Sequence, residues 1–434
     1  MNNGPSYIGN AWDAMAAEAI TVHSERCTKV RNRNTQCMKC ADACTSGCIS
    51  YEDNTLKIDQ ASCVGCGTCA TVCPTCALEA HHPTDAELLS TCRKALFEDA
   101  SLKTSDVPAR HLVIACSQVV AALGGLIESD HVVNVVCAGR VDESLLCAMA
   151  AEGASRVDML CGICSKCEQK HGLDTARLVV DTTRVLFDAW GVNCGVEVVQ
   201  APPSAILGEG VTVDLAEGVV EGYFADGCAC SPIVGACEQG SSNDQAEEAS
   251  DSTNVRERTE RDDETHGTGM RFFWESTHTR HVHKNLHVMK DGTLPHFVPA
   301  RRDRVLDALS SFGRPPVRQL ETRLMGTVSI DTDKCVSCRM CAVFCPTGAI
   351  RKFDEADGSV GIIHTPADCI KCESCKDICP GVAIEILPGV STEDIFEGLG
   401  HKYDMNGRDV SLRDNPHQML ETMRKNIPGD IFER

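Results

Sequence analysis

Lys334–Ile350 reads KCVSCRMCAVFCPTGAI and Asp368–Ile384 reads DCIKCESCKDICPGVAI. Aligned on cysteine, both give C-x2-C-x2-C-x3-C-P, with Cys335, Cys338, Cys341 and Cys345 in the first run and Cys369, Cys372, Cys375 and Cys379 in the second. Soft thiolates this closely spaced converge on one small volume only if the backbone curls tightly, so the pattern constrains shape as well as chemistry. A short helical turn carries the fourth cysteine away, and the proline ends that turn. Zinc sites draw on C-x2-C pairs rather than triplets, so a zinc ribbon does not fit.

The N-terminal region repeats the theme. ASCVGCGTCATVCPTCALEA supplies Cys63, Cys66, Cys69 and Cys73 in the same spacing. QCMKCADACTSGCISYE differs: Cys37, Cys40, Cys44 and Cys48 stand at C-x2-C-x3-C-x3-C, and Ile49 replaces the proline. The extra residue before Cys44 reads as a loop insertion.

Both regions resemble the bacterial-type 2[4Fe-4S] ferredoxin family, over roughly residues 31–82 and 327–388. In that pattern three thiolates hold one cube and the fourth cysteine ligates its neighbour. The resemblance implies Cys335, Cys338, Cys341 with Cys379, and Cys369, Cys372, Cys375 with Cys345. For the N-terminal module it implies Cys37, Cys40, Cys44 with Cys73, and Cys63, Cys66, Cys69 with Cys48. Cys76 either exchanges with Cys73 or stays a buried free thiol.

Between the modules the periodicity changes. HLVIACS, HVVNVVCAG, ASRVDMLCGIC and GVEVVQ are short apolar runs, separated by ESLLCAMAAEG and LDTARLVVDTTRVLFDAW, whose apolar positions recur at helical spacing. This alternation predicts a small α/β domain with a mostly parallel sheet. Cys116, Cys137 and the group Cys161, Cys164, Cys167 then fall at the carboxyl ends of strands, the edge where ligands gather in such sheets. The motifs ACS, CAGRVDESLLCAMAAEGAS and CGICSKCE resemble the hydrogenase iron-sulfur subunit family associated with methyl-viologen-reducing hydrogenase and heterodisulfide reductase. That resemblance implies a [2Fe-2S] cluster on Cys116, Cys137, Cys161 and Cys167, with Cys164 a substitute. The chain departs from the family in having one cysteine at the first position and the denser CGICSKC at the last, so zinc and redox-active or merely buried thiols stay open as alternatives. Cys147 belongs to the apolar face of a helix.

The expected architecture is α+β with α/β: two dicluster ferredoxin-like modules flanking a small parallel-sheet α/β domain. Its divisions are 1–104, 105–202, a cysteine-containing segment and acidic linker at 203–268, a basic histidine-rich docking segment at 269–326, 327–388, and a C-terminal extension at 389–434. From Gly240 to Thr265 the linker is acid-rich and lacks aromatics, a composition that cannot offset the entropy of ordering it. Cys228, Cys230 and Cys237 fit no standard cluster spacing. His278, His281, His283, His287 and His296 form no recognised metal motif and read as part of a docking surface.

The chain has 434 residues and 29 cysteines, too long for a secreted disulfide scaffold, and no basic-then-apolar leader opens it. A reducing, cytoplasmic setting follows. No run reaches transmembrane length, which leaves peripheral attachment through a partner. A formal charge of −21 disfavours nucleic acid as partner. No dinucleotide fingerprint, phosphate loop or nucleophile elbow is present. The functional expectation is an iron–sulfur electron-transfer subunit with four [4Fe-4S] clusters, working between a hydrogenase, flavoenzyme or dehydrogenase and a terminal reductase. The alternatives are a disulfide or sulfur-compound reductase component with thiol chemistry at the middle cysteines, and clusters that serve only as folding staples or as an oxygen-sensitive regulatory element.

Overall fold

A computed structural model describes residues 19–97, 110–123, 132–201, 289 and 292–405. Cys228, Cys230, Cys237, the acidic linker and His278, His281, His283 and His287 lie outside the described residues.

The N-terminal unit comprises β1 (Ile20–Val22), α1 (Thr28–Arg31), α2 (Lys39–Asp42), β2 (Ile49–Glu52), β3 (Thr55–Ile58), α3 (Thr68–Val72), β4 (Leu78–Ala80) and α4 (Asp85–Phe97). β2 and β3 form a hairpin turned by Asp53 and Asn54 at φ 52° and 58°. A two-residue hairpin needs that left-handed pair, and Asp and Asn tolerate it better than most side chains. β4 returns to pair antiparallel with β1, Ile20 opposite Ala80. A reciprocal cap starts α4: the Glu87 N–H donates to Thr84 Oγ1 at 3.2 Å, and the Thr84 N–H donates to the Glu87 carboxylate at 2.9 Å. One face of α4, carrying Leu88, Cys92, Ala95 and Leu96, is buried in the core of the middle domain.

The middle domain runs β5 (His111–Cys116), α5 (Ser117–Leu123), β6 (Val132–Val135), α6 (Glu143–Ala151), β7 (Arg156–Cys161), α7 (His171–Trp190) and β8 (Gly195–Gln200). Its strands are all parallel, in the order β6-β5-β7-β8. The central strands β5 and β7 are buried at every position but the first, which is why they read as continuous apolar runs. Asp142 caps α6 by accepting from the N–H groups of Ser144 and Leu145, and α7 ends on Gly191 at φ 68°. The parallel α/β sheet expected from the sequence is the sheet observed.

The C-terminal unit contains α8 (Ala300–Ser311), β9 (Gln319–Glu321), β10 (Thr327–Ile330), α9 (Met340–Phe344), β11 (Ile350–Asp354), β12 (Val360–His364), α10 (Ser374–Ile378), β13 (Ile384–Leu387), β14 (Gly389–Ser391), α11 (Thr392–Glu397) and β15 (His401–Asp404). β10 pairs with β13, β14 with β9, and β11-β12-β15 form a third antiparallel sheet. The residues after 388, read from the sequence as a mixed helix and coil extension, thus continue the module as far as residue 404. β15 adds to the free edge of β12, and the Tyr403 hydroxyl donates to the Val328 carbonyl at 2.6 Å.

The described part of the basic segment docks on the chain itself. Arg301 donates to Asp85 at 2.8 and 2.9 Å and to the Ala70 carbonyl at 2.7 Å. Arg304 reaches Ser144 at 2.7 Å and Arg323 pairs with Glu143 at 2.7 Å. Arg302 is buried and donates to the carbonyls of Leu324 and Pro366. Beneath these contacts one apolar core runs from α4 through the parallel sheet to Val305 and Leu309 of α8 and Val390 of β14.

Candidate iron–sulfur centres

In the C-terminal module the curl of each cysteine loop comes from paired left-handed residues. Ser337 (φ 58°) and Arg339 (φ 55°) turn the first, Lys371 (φ 49°) and Glu373 (φ 65°) the second. Alternating handedness aims successive sulfurs to one side, and non-glycine residues occupy it only when surrounding structure enforces it. α9 and α10 start at once and place Cys341 and Cys375 at their second residues; Cys345 and Cys379 follow as C-caps. The chain thereby brings Cys379 to the first loop, where Cys335, Cys338, Cys341 and Cys379 line one cavity with Ile330, Ile384 and Met405. Burial pushes the Cys375 thiol well up, and Cys372, Cys369 and Cys345 add to the shift, which puts the second loop and Cys345 together.

The N-terminal module turns its Cys63 loop with Gly65 (φ 63°) and Gly67 (φ 74°) at the equivalent positions. Cys63, Cys66 and Cys69 line a cavity with both Cys44 and Cys48, whose sulfurs are 3.5 Å apart. Cys37, Cys40 and Cys73 gather elsewhere, around Cys27. Burial pushes Cys40 up to about 12, with Cys73, Cys27 and Cys37 as its thiol neighbours. Cys27 was not among the residues singled out from the sequence. Cys44, expected beside Cys37 and Cys40, sits on the Cys63 side. Cys76 is partly buried near Arg301, Asp85 and Asp142.

In the middle domain Cys116 ends β5, Cys161 ends β7 and Cys137 follows β6, so three neighbouring parallel strands deliver thiols to one edge. The next turn brings Cys164 and Cys167. Burial pushes Cys137 up to about 12, while a hydrogen bond from the Cys161 thiol lowers Cys164 to about 7. A Cβ at Gly172 would collide with Cys137 Sγ, so glycine is required where α7 begins. Cys147 is fully buried in the core, as expected for a packing residue.

These groups form a continuous series. Cys372 lies within electrostatic range of Cys37, Cys69 of Cys40, and Cys137 of Cys66. At the first of these junctions stands Arg31, 1% exposed, with Cys345, Cys372 and Cys27 around it. It donates to the carbonyls of Glu25 and Pro295, yet its Nε and Nη2 have no partner among the described residues. At the last junction a Cβ on Gly67 would collide with Arg140, whose carbonyl accepts from Thr71 at 3.0 Å.

The residues fit cubanes on two further counts. Backbone N–H groups point at sulfur: Ser337 to Cys335 at 3.4 Å, Ala77 to Cys73 and Ala383 to Cys379 at 3.3 Å, the bonds that stabilise cluster thiolates. Deeply buried thiols also resist ionisation, so iron must replace their protons for the sites to be thiolates. Among the described residues every cysteine is a free thiol, and no group of three or more Cys, His, Asp or Glu is placed to hold a single metal ion.

Residues 325–388 match a family described as 4Fe-4S dicluster domain, and residues 56–79 match one described as 4Fe-4S binding domain. No curated protein and no solved structure matches the chain. Iron–sulfur binding domains of ferredoxin type therefore flank the parallel-sheet domain, and they support a general electron-transfer role. No described helix is long and apolar enough to cross a membrane.

Proposed function

We propose that the protein is an electron-transfer subunit with four [4Fe-4S] cubes in its two flanking modules and a [2Fe-2S] cluster in the middle domain. It carries electrons between a hydrogenase, flavoenzyme or dehydrogenase and a terminal reductase. The observation that supports this best is that each thiol group neighbours the next, Cys341 with Cys375, Cys372 with Cys37, Cys40 with Cys69 and Cys66 with Cys137: folding staples would have no reason to stand in a row. A bound iron–sulfur cluster supplies reversible one-electron oxidation and reduction.

The chain's own residues do the rest. Cys335, Cys338, Cys341 with Cys379, and Cys369, Cys372, Cys375 with Cys345, hold the C-terminal pair. The N-terminal pair draws on the cysteines between Cys27 and Cys73. Cys116, Cys137, Cys161 and Cys167 hold the middle group, with Cys164 beside them. Ile330, Ile384 and Met405 keep water from one site, and the N–H groups aimed at sulfur stabilise the more negative state. Arg31 and Arg140 place positive charge at the junctions, where negative charge passes.

A second reading, a disulfide or sulfur-compound reductase component, is supported by the neighbouring free thiols Cys161 and Cys164, since a thiol lowered to about 7 by a hydrogen bond from its neighbour suits exchange near neutral pH. Potentiometric titration of anaerobic protein followed by EPR separates the two. Reversible one-electron signals with spin–spin broadening between adjacent centres support the series. Absence of reversible signals contradicts it, and a two-electron wave confined to the middle domain favours thiol chemistry.

A further inference from the structure

We infer that Cys27 is a ligand of the first N-terminal cube and that Cys44, not Cys48, crosses to the second. The sets are then Cys27, Cys37, Cys40 with Cys73, and Cys63, Cys66, Cys69 with Cys44. This rests on the dicluster reading above and settles which cysteines serve it.

The warrant is a fourfold repeat within the chain. Each copy starts with a short helix whose second residue is a cysteine: Cys69 in α3, Cys341 in α9 and Cys375 in α10, each the third of its run, and Cys40 in α2. Four residues later comes the crossing cysteine: Cys73, Cys345 and Cys379 in the regular copies, and Cys44 in the irregular one. In three of the four copies a hydroxyl two residues beyond meets its sulfur, Ser46 on Cys44 at 3.5 Å, Thr75 on Cys73 at 3.6 Å and Thr347 on Cys345 at 3.8 Å, with Gly381 at that place in the fourth. The next residue is left-handed in every copy: Gly47 (φ 66°), Cys76 (φ 47°), Gly348 (φ 73°) and Val382 (φ 49°). Then comes a small buried residue that leads into a strand: Ala77 before β4, Ala349 before β11, Ala383 before β13, and Cys48 before β2. Cys48 therefore occupies the alanine position of the repeat. The C-x3-C interval between Cys40 and Cys44 is the ordinary spacing from third to fourth cysteine, not an insertion.

Counting back, Cys37 is the second ligand and the first lies upstream. Cys27 has the matching local geometry. The N–H groups of Val30 and Lys29 face its sulfur, as that of Lys371 faces Cys369, and the Ser337 N–H donates to Cys335 Sγ at 3.4 Å. Cys27 also packs in the same apolar cluster as Cys40 and Cys73. The extra length of this run sits between its first and second ligands, where α1 occupies the excursion.

The test is iron, acid-labile sulfide and low-temperature EPR on the anaerobically purified full-length chain, wild type beside Cys48→Ala and Cys27→Ser. Wild type is expected to carry about 16 iron from the cubes. Cys48→Ala installs the residue its counterparts carry, and full iron with an unchanged spectrum is expected. Cys27→Ser is expected to lose up to about four iron and the signal of one cube. Loss of a cube from Cys48→Ala, or an unaltered iron count and spectrum in Cys27→Ser, overturns the assignment. Should Cys27→Ser fail to fold, Cys48→Ala still decides. A wild type with fewer than about eight iron overturns the dicluster reading itself and so separates the two failures.

Discussion

The two dicluster modules share a plan but differ at one loop. Both C-terminal loops are regular triplets, each turned by two left-handed side-chain-bearing residues, whereas the first N-terminal run spreads into the excursion from Cys27 to Cys37. That excursion is where the modules meet. Thr35 Oγ1 lies 3.3 Å from Ser374 Oγ, the Gln36 N–H donates to Asp377 at 2.9 Å, and Arg31 donates to the Pro295 carbonyl at 2.8 Å. The departure from regular spacing thus builds the junction between two thiol groups without disturbing the helix and turn that present the remaining ligands.

The largest effect expected from breaking this comparison is on docking. Burial alone raises the Asp85 carboxyl, but Arg301 and Arg140 overcome it and hold the group well below the usual range. Asp85→Asn, which leaves the buried Arg140 without a carboxylate while Arg301 keeps Asp142, is expected to cost about 3 kcal/mol in denaturant unfolding. Arg339→Ala, which breaks a pair with the half-exposed Asp354, is expected to cost under about 1 kcal/mol. Because the folded Asp85 pKa is depressed, its contribution is complete above the unfolded value of about 4 and is lost as pH falls through the folded one. Asp85→Asn should therefore flatten the acid limb of the stability profile.

Next in size is the junction charge. Removing the cation by Arg31→Gln is expected to lower the potentials of the two centres beside it by on the order of 50–100 mV, the worth of a nearby charge at an effective dielectric near 20. The centre proposed for the cavity lined by Cys335, Cys338, Cys341 and Cys379 should be unmoved, as read by EPR titration. Equal shifts everywhere would mean that Arg31 acts through folding.

The smallest effect compares the left-handed position after each crossing cysteine. Val382 is 78% exposed at φ 49°, so Val382→Gly relieves strain without opening a cavity and should stabilise by roughly 0.5–1 kcal/mol. Gly348→Val, at the equivalent position, should destabilise by a similar or larger amount because His296 packs against Gly348.

Much of this was legible in the sequence, for physical reasons. Triplet spacing dictates loop curl, so the cavity that Cys335, Cys338, Cys341 and Cys379 line follows from the order of the cysteines. The strands β5 and β7 are buried on both faces and announce themselves as apolar runs, which places Cys116 and Cys161 at one sheet edge. Cys27 was not legible from local spacing, because nine residues separate it from Cys37. The available signal was the shared C-x3-C interval, which aligns Cys40 with Cys341 and leaves the run one cysteine short at its start. The docking of Arg301, Arg302 and Arg323 was equally hidden: a basic helix reads as a surface for a partner until Asp85 and Glu143 are found beneath it.

The central claim, four cubes in two modules, is tested most directly by counting iron and acid-labile sulfide per chain in anaerobically purified protein, with EPR of the reduced state. The account predicts about 16 iron from the cubes, or about 18 with a [2Fe-2S] cluster in the middle domain. Fewer than about eight iron per chain in protected material would contradict it.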